Sequence, residues 1–360
     1  MVPREKTELW ERSTLSPYAA LSAKSRGRRT PEARCALRTE FQRDRDRILH
    51  CKAFRRLSHK TQVFIAPVVD HYRTRLTHTL EGAQIARTVA RALSLNEDLT
   101  EAIALGHDLG HPPFGHAGED ALNRAYREYV PDAQFLHHEQ SLRIVDFIEK
   151  DGRGLNLTVE TRDGILGHSK GRSNILGHLA GQGSESLPAS LEGQVVRVAD
   201  RIAYVNHDID DSKRAGLLGE DDIPDDISEI LGERHSTRIT RMVQDVVSHS
   251  QGISEIRMSE EVQQATDRLK DFLFTHVYSG TSVAKLEERK IFGIISGLFE
   301  YYMNHPELVP DFDAGEKTTR MGDGSSDLAR RVCDYIAGMT DRFAKQQYSQ
   351  VFLPREWGAA

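Results

Sequence analysis

The chain predicts an all-α protein, on three observations. Apolar residues recur at helical spacing, with Ile48, Cys51, Phe54 and Leu57 on one stripe and Ala83, Ala86, Ala90 and Leu93 on another. Sustained two-residue alternation, which a half-buried strand needs, is hard to find. Helix stop signals sit where periodic segments run out, as at Pro112-Pro113 and Gly115.

Taken in order, residues 1–40 read as an N-terminal arm that is arginine-rich toward its end. Ten arginines crowd residues 26–56: Arg26, Arg28, Arg29, Arg34, Arg38, Arg43, Arg45, Arg47, Arg55 and Arg56. Most are expected on a charged helix face or in salt bridges, because a phosphate or single-stranded nucleic-acid site would need them clustered in space. Residues 41–216 are expected to form one helical core. Within it, Thr100 is placed to cap a helix that ends after His111 at Pro112-Pro113. Residues 116–128 read as the next helix, and 139–149 carry a stripe through Leu142, Val145 and Ile148. Glycine, serine and histidine interrupt residues 152–193, which reads as loops over a site, with His168 and His178 as loop histidines without a role. In the helix at 190–209, Val195, Val198, Ile202 and Val205 face a core, while Asp200, Tyr204 and Asp208 stand at i, i+4 and i+8 on another face. Asp210-Asp211 reads as an exposed helix end. Residues 217–360 are expected to pack on the core as a C-terminal helical region. After an acidic connection at 219–229, helices are expected near 227–250, 259–275 and 284–304, then a polar loop at 307–325 and a last helix at 326–346. An aromatic tail with Tyr348, Phe352 and Trp357 is expected to dock.

A net charge of -6 and a pI near 6.3 exclude a generally basic nucleic-acid coat. Cys35, Cys51 and Cys333 contain no CxxC pair, so neither a disulfide framework nor a thiolate zinc site is suggested. The start, Met1-Val2-Pro3-Arg4-Glu5-Lys6, lacks the apolar stretch of a secretory signal, and no run reaches the ~20 apolar residues of a membrane span. A cytoplasmic placement is therefore expected.

The densest chemical signal is the adjacent pair His107-Asp108, since an imidazole and a carboxylate can share one divalent metal. His78 upstream and Asp200 downstream would complete a set of two nitrogen and two oxygen donors, drawn from three separate helices. Sixteen histidines will also produce chance neighbours, but His111, His116 and Glu119 follow the pair too closely for that reading to lead. Such mixed ligands suit manganese, iron, zinc, nickel or cobalt, with magnesium less favoured.

Three blocks carry a resemblance: Arg75-Leu76-Thr77-His78; the run from His107-Asp108-Leu109-Gly110-His111-Pro112-Pro113 to His116 and Glu119; and Ala199-Asp200-Arg201-Ile202-Ala203-Tyr204. Phe41–Ile48, Ala53–Leu57 and Pro188–Gln194 add to them. Over residues 26–216 the chain resembles the HD-domain deoxynucleoside triphosphate triphosphohydrolases, the dGTPase-like family. The resemblance implies an all-α HD-domain core with additional C-terminal helices, one divalent metal ion at His78, His107, Asp108 and Asp200, and hydrolysis of a dNTP to deoxynucleoside and inorganic triphosphate.

Carried over residue by residue, the resemblance makes His116 the acid/base group and Glu119 its orienting partner. His111 would contact phosphate or tune the metal's surroundings. Of His137 and His138, His138 is favoured as a further active-site histidine because it precedes Glu139-Gln140. Arg201 would face the triphosphate, Tyr204 the sugar or base, Asp208 the 3′-hydroxyl, Gln62 a sugar hydroxyl, and Arg75 the base or a phosphate. Tyr204 against C2′ would crowd out a ribose hydroxyl. The family also implies a homo-oligomer, tetramer or hexamer; an allosteric nucleotide or single-stranded nucleic acid is a further candidate partner. The competing readings are an HD-type nucleotidase or phosphodiesterase, and a non-catalytic nucleotide sensor or nucleic-acid-binding protein.

Overall fold

Side-chain caps mark helix starts through much of this chain. The computed structural model describes residues 1–62, 72–169, 187–219, 221–278, 282–311 and 324–354; His178, Trp357 and most of the glycine-rich stretch lie outside them. Helix α1 (Pro3–Thr14) precedes α2 (Glu40–Leu49), where Thr39 and Gln42 satisfy each other's backbone N–H groups in a capping box. Next come α3 (Lys52–Arg56) and α4 (Arg75–Ala92), the latter capped by Thr74. Helix α5 (Glu97–Gly106) starts one turn earlier than expected. Asn96, not Thr100, caps it by accepting the Leu99 N–H at 3.2 Å, while the Thr100 hydroxyl bonds back to the Asn96 carbonyl inside the helix.

Helices α6 (Gly115–Tyr129) and α7 (His137–Arg143) follow, α7 widening into a π-helical turn at Ile144–Ile148. The expected stripe at 139–149 is therefore one continuous but irregular unit, closed by the short α8 (Glu149–Gly152), where Lys150 and Asp151 take positive φ. Helix α9 (Val159–Gly167) occupies part of the stretch read as loops, and α10 (Leu191–Arg214) is the long helix expected there. The C-terminal part contains α11 (Asp225–Leu231), α12 (His235–Ser250), α13 (Glu260–Leu273), α14 (Ser282–Asn304), α15 (Gly324–Ala337) and α16 (Asp341–Phe352). Two single-helix expectations are corrected. Gly232, at φ 99°, breaks 227–250 into α11 and α12, and a turn capped by Thr340 breaks 326–346 into α15 and α16. Among the described residues there is no strand, only the isolated bridges Arg28–Thr158 and Thr61–Thr74.

Helix α10 is the axis. Val195, Val198, Ile202 and Val205 are all buried, and the helix packs against α4, α5, α9, α12 and α13. One apolar core runs from Phe41 to Val277 around it. A second joins α6 to α14, α15 and α16 through Leu122, Phe299, Val332 and Ile336, with Tyr348 packed at its edge. The C-terminal helices thus pack on the segment that follows His107-Asp108, and the fold is all-α.

The arginine-rich stretch is largely an ion-pair lattice. Arg28 reaches Glu40 at 2.7 Å and the buried Asp44, whose carboxylate also takes the Thr158 hydroxyl at 2.6 Å; Arg43 and Arg47 both reach Glu32 at 2.5 Å. Arg45 pairs with Asp98 at 2.7 Å. Asp210-Asp211, expected as an exposed helix end, instead both pair with Arg73, at 2.8 and 3.0 Å, and Asp211 is buried. No helix among the described residues is long and apolar enough to cross a membrane.

Leu99, fully buried in α5, lies in the first core and makes no polar contact with the residues discussed below. Leu99→Ala is expected to lower the unfolding free energy by about 2–5 kcal/mol, the range for deleting a buried leucine side chain. Denaturant unfolding monitored by circular dichroism checks this, and a loss under about 1 kcal/mol would mean the site collapses around the void.

Candidate active site

Close backbone approach builds the turn that carries the central pair. Helix α5 ends at Gly106, where a Cβ would come within 2.6 Å of Ile165 on α9. At Gly110 a Cβ would meet the His137 carbonyl at 2.1 Å and the Ser141 nitrogen at 2.2 Å, so only glycine lets α7 lie against the turn. The Ser141 hydroxyl joins the two pieces, donating to the His107 carbonyl at 2.6 Å and accepting the Gly110 N–H at 2.8 Å. His107 and Asp108 consequently sit just past the helix end, both almost fully buried.

Three elements bring the four expected ligands to one point. Donor atoms of His78 (α4), His107 and Asp108 all lie within 4.8 Å of one another. Asp200 (α10) joins them, its Oδ1 standing 3.1 Å from His78 Nε2 and 3.6 Å from His107 Nε2. His107 Nδ1 donates to the Ala104 carbonyl at 2.6 Å, which leaves Nε2 buried, without a hydrogen-bond partner, and aimed at the two carboxylates. That orphaned nitrogen among acidic oxygens is what a divalent cation would satisfy, so the donor set fits one. Burial opposes charge on His107, yet Asp108 and then Asp200 outweigh it and push its pKa up to about 9. Burial likewise resists ionisation of Asp108, but His107 and Arg75 hold that carboxylate well below the usual range.

His78 is oriented from behind by residues the sequence reading did not single out. Its Nδ1 lies 3.0 Å from His207 Nδ1, and His207 Nε2 lies 2.9 Å from Glu81 Oε2. A free lone pair on His78 Nε2 requires His78 to donate from Nδ1 to His207, and His207 to donate from Nε2 to Glu81. The chain of donors closes only in that tautomer. The spacing held the signal: Glu81 is i+3 from His78 and His207 is i+7 from Asp200, which puts each on the face of its helix that bears a ligand.

A second cluster abuts the first. His111 Nε2 is 3.3 Å from Asp108 Oδ1, and its ring stacks on His137 at a centroid distance of 4.0 Å. Glu119 Oε1 accepts both the backbone N–H and the Nδ1–H of His137 at 2.8 Å, while Glu119 Oε2 lies 3.3 Å from His116 Nδ1. Burial works against ionising Glu119, but His137 and His116 hold its pKa well below the usual value, so it is a carboxylate shared by two imidazoles. Burial, followed by Arg75, drives the His111 pKa well down, keeping that ring neutral. His116 is the exposed member, its side chain 65% accessible.

Of the adjacent histidines, geometry brings His137 rather than His138 onto Glu119. Neighbouring side chains at the start of α7 diverge by about 100°, so only one can face the cluster. His138 is half-buried at its edge, where burial and then His137 lower its pKa to about 4. His168, expected to be an idle loop histidine, is instead buried at the end of α9. Its ring lies 4.9 Å from that of His107 and 5.3 Å from that of His137, with Nδ1 donating to the Ile165 carbonyl at 2.7 Å.

Around these clusters stand the expected substrate contacts. Arg75 is buried and donates from Nη1 to Asp108 Oδ2 at 2.8 Å, while its Nε and Nη2 have no partner. Gln62 is buried with an unbonded Oε1, and a Cβ on Gly115 would lie 3.3 Å from the Gln62 carbonyl and 3.5 Å from Arg75 Nη2. Arg201 and Asp208 are buried and Tyr204 is half-buried on α10, at i+1, i+8 and i+4 from Asp200. Unpartnered atoms of Arg75 and Gln62 thus border a candidate cation site beside a histidine–carboxylate cluster.

That combination, on an all-α scaffold, defines an HD-domain phosphohydrolase. The HD domain family profile matches residues 75–205, and a phosphohydrolase-associated domain matches 256–350. A deoxyguanosinetriphosphate triphosphohydrolase-like protein of Caldanaerobacter subterraneus subsp. tengcongensis is 53% identical over 357 residues, covering 99% of this chain and 98% of that protein. Proteins of the same description from Desulfatibacillum aliphaticivorans and Clostridium perfringens are 49% and 46% identical, each over 98% of this chain and 99% and 98% of their own. The chain belongs to the HD-domain family of deoxyguanosinetriphosphate triphosphohydrolase-like proteins.

Cation binding at the four ligands must displace a proton from His107 below pH 9. Affinity for Mn²⁺ is therefore expected to rise between pH 6 and 9, by at most about tenfold per unit for one proton released, and then to level off. Titration calorimetry across that range checks it, and a flat profile would remove His107 from the ligands. His207→Ala should weaken the same affinity by about 10–100-fold, the usual cost of losing a partner that orients a ligating histidine.

Proposed function

We infer that the protein hydrolyses deoxynucleoside triphosphates of the dGTP type to deoxynucleoside and inorganic triphosphate, with one divalent metal ion at His78, His107, Asp108 and Asp200. The observation that carries this reading is the His116–Glu119–His137–His111 cluster joined to the ligand set at the 3.3 Å approach of His111 to Asp108. A cation site alone would serve any HD-type phosphoester hydrolysis; a histidine–carboxylate relay beside it supplies the proton that a departing 5′-oxygen needs. A metal ion held there would supply Lewis-acid polarisation of the reacting phosphoryl group.

The protein's own residues do the rest. His116 presents its accessible ring toward solvent and substrate, with Nδ1 held by Glu119 so that Nε2 can give a proton to the leaving oxygen. Glu119 stays ionised and stabilises the imidazolium from which that proton comes. His137 keeps Glu119 in place from the other side, and His111, neutral and stacked on His137, is available to a phosphate oxygen. Arg75 can pass its unbonded Nη2 to the triphosphate while Nη1 keeps Asp108 in place. Gln62 and Asp208 are suited to sugar hydroxyls, Arg201 to phosphate, and Tyr204 to crowding a ribose 2′-position. The relatives' shared description as deoxyguanosinetriphosphate triphosphohydrolase-like supports the substrate class.

Incubating Mn²⁺-loaded protein with each dNTP, each rNTP and a phosphodiester, followed by chromatography, tests the reading: triphosphate plus deoxynucleoside is expected from dNTPs alone. Monophosphate or diphosphate products would replace it with another HD-type activity. His116→Ala should keep metal affinity and slow hydrolysis by about a hundredfold or more, as loss of acid/base help does. Loss of metal in that variant would show that His116 is a ligand instead.

A further inference from the structure

The C-terminal helices reach back to the active site through one carboxylate. Asp341, the first residue of α16, is 6% exposed. Its Oδ2 accepts the Thr61 backbone N–H at 3.0 Å and the Thr61 hydroxyl, and its Oδ1 accepts the Phe114 N–H at 2.9 Å. These donors belong to two segments that sequence places far apart. Thr61 precedes Gln62 and bridges to Thr74, beside Arg75. Phe114 takes left-handed backbone angles, φ 67° and ψ 24°, and with Gly115 at φ 60° turns the chain from Pro112-Pro113 into α6, two residues before His116. The left-handed turn is strained for a phenylalanine, so something must hold it there.

A second tether runs parallel. The buried Lys60 donates from Nζ to the Ala337 carbonyl at the end of α15 at 2.8 Å, and to the His111 carbonyl. About one turn earlier on α15, Asp334 accepts from Gln140 Nε2 at 3.0 Å and from Arg143 Nε at 2.8 Å, gripping the helix that carries His137. All three anchor points, Asp334, Ala337 and Asp341, fall within the phosphohydrolase-associated segment.

We propose that Asp341 is a positioning residue for hydrolysis: by clamping Thr61 and Phe114 together, it sets where the sugar-binding Gln62 stands relative to the proton-donating His116. The proposal rests on the function inferred above. An apolar residue could not accept either N–H, whereas the carboxylate gives each segment an oxygen of its own, Oδ2 to Thr61 and Oδ1 to Phe114. Displacing either segment spoils the alignment of sugar against acid, which a hydrolytic site tolerates poorly.

The test compares full-length wild type with Asp341→Asn, Asp341→Ala and Thr61→Val, using Mn²⁺ and dGTP. Asp341→Ala is expected to raise KM and lower kcat, with kcat/KM down about a hundredfold, while Mn²⁺ affinity stays at the wild-type value. Asp341→Asn should recover part of both, since its one remaining oxygen can hold one N–H. Thr61→Val, which loses only the hydroxyl, should change KM more than kcat and keeps the test open if the alanine variant does not fold. Amide hydrogen exchange should quicken at Thr61 and Phe114 in both Asp341 variants. Unchanged exchange at those amides would overturn the clamp, and quickened exchange with kcat and KM within twofold of wild type would overturn its positioning role. Wild-type protein that releases no triphosphate would defeat the inferred function instead, with exchange at Thr61 and Phe114 still deciding the clamp.

Discussion

Everything at the centre of this fold answers to one constraint: two carboxylates and two imidazoles are held together, three of them buried and Asp200 partly exposed, where neither set is tolerated alone. An isolated buried carboxylate is driven to take a proton, and an isolated buried imidazole to lose one. Here Asp108 faces His107, His111 and Arg75, and Asp200 faces His78 and His107. Mutual compensation holds both carboxylates well below their usual range. It also leaves His107 Nε2 pointing at oxygen atoms with no hydrogen bond of its own. Helices α4, α5, α9 and α10 close around that knot of charge and leave Asp200 its accessible edge.

Backbone carbonyls and neighbouring side chains then decide which nitrogen of each ring is free. His107 and His168 each give Nδ1 to a carbonyl three residues earlier, Ala104 and Ile165, so both present Nε2 to the centre. His78 is set instead through His207 and Glu81, with Arg73 holding Glu81 at 2.8 Å. Burial lowers the His207 pKa to about 4, which keeps it the neutral relay that this donor order demands. In the second cluster Glu119 does the same for His116 and His137. Tautomer selection by partners outside the ligand set is thus a repeated device in this site.

The charged residues of the N-terminal stretch and those of the site are managed by different means. Arg28, Arg43, Arg45 and Arg47 each find carboxylates on the same or a neighbouring element, and the result is a closed lattice that ties residues 26–47 to α5 and to the segment before α9. Arg75 is the contrasting case. It too pairs with a carboxylate, but two of its three nitrogens are buried without partners at the edge of the ligand set. Buried donors left unsatisfied are costly, and a fold retains them where something else is meant to arrive.

Much was legible in the chain itself. Helical periodicity, with no alternation to rival it, was enough for the all-α class, because periodicity reports the solvent-facing geometry of each segment directly. The pair His107-Asp108 and the block motifs around His78 and Asp200 were enough to name four candidate ligands, and the structure brings those side chains together. Helix boundaries were less legible: both Asn96 and Thr100 can cap, and the helix starts at Asn96, the stronger capping type, with Thr100 buried inside it. What three-dimensional structure alone decided is which distant groups meet. The choice of His137 over His138 at Glu119, the arrival of His168 and His207 beside the ligands, and the reach of Asp341 to Thr61 and Phe114 all depend on how helices pack. Local sequence constrains the conformation and exposed face of one segment, whereas the distance between side chains on two segments is set by the close packing of everything between them.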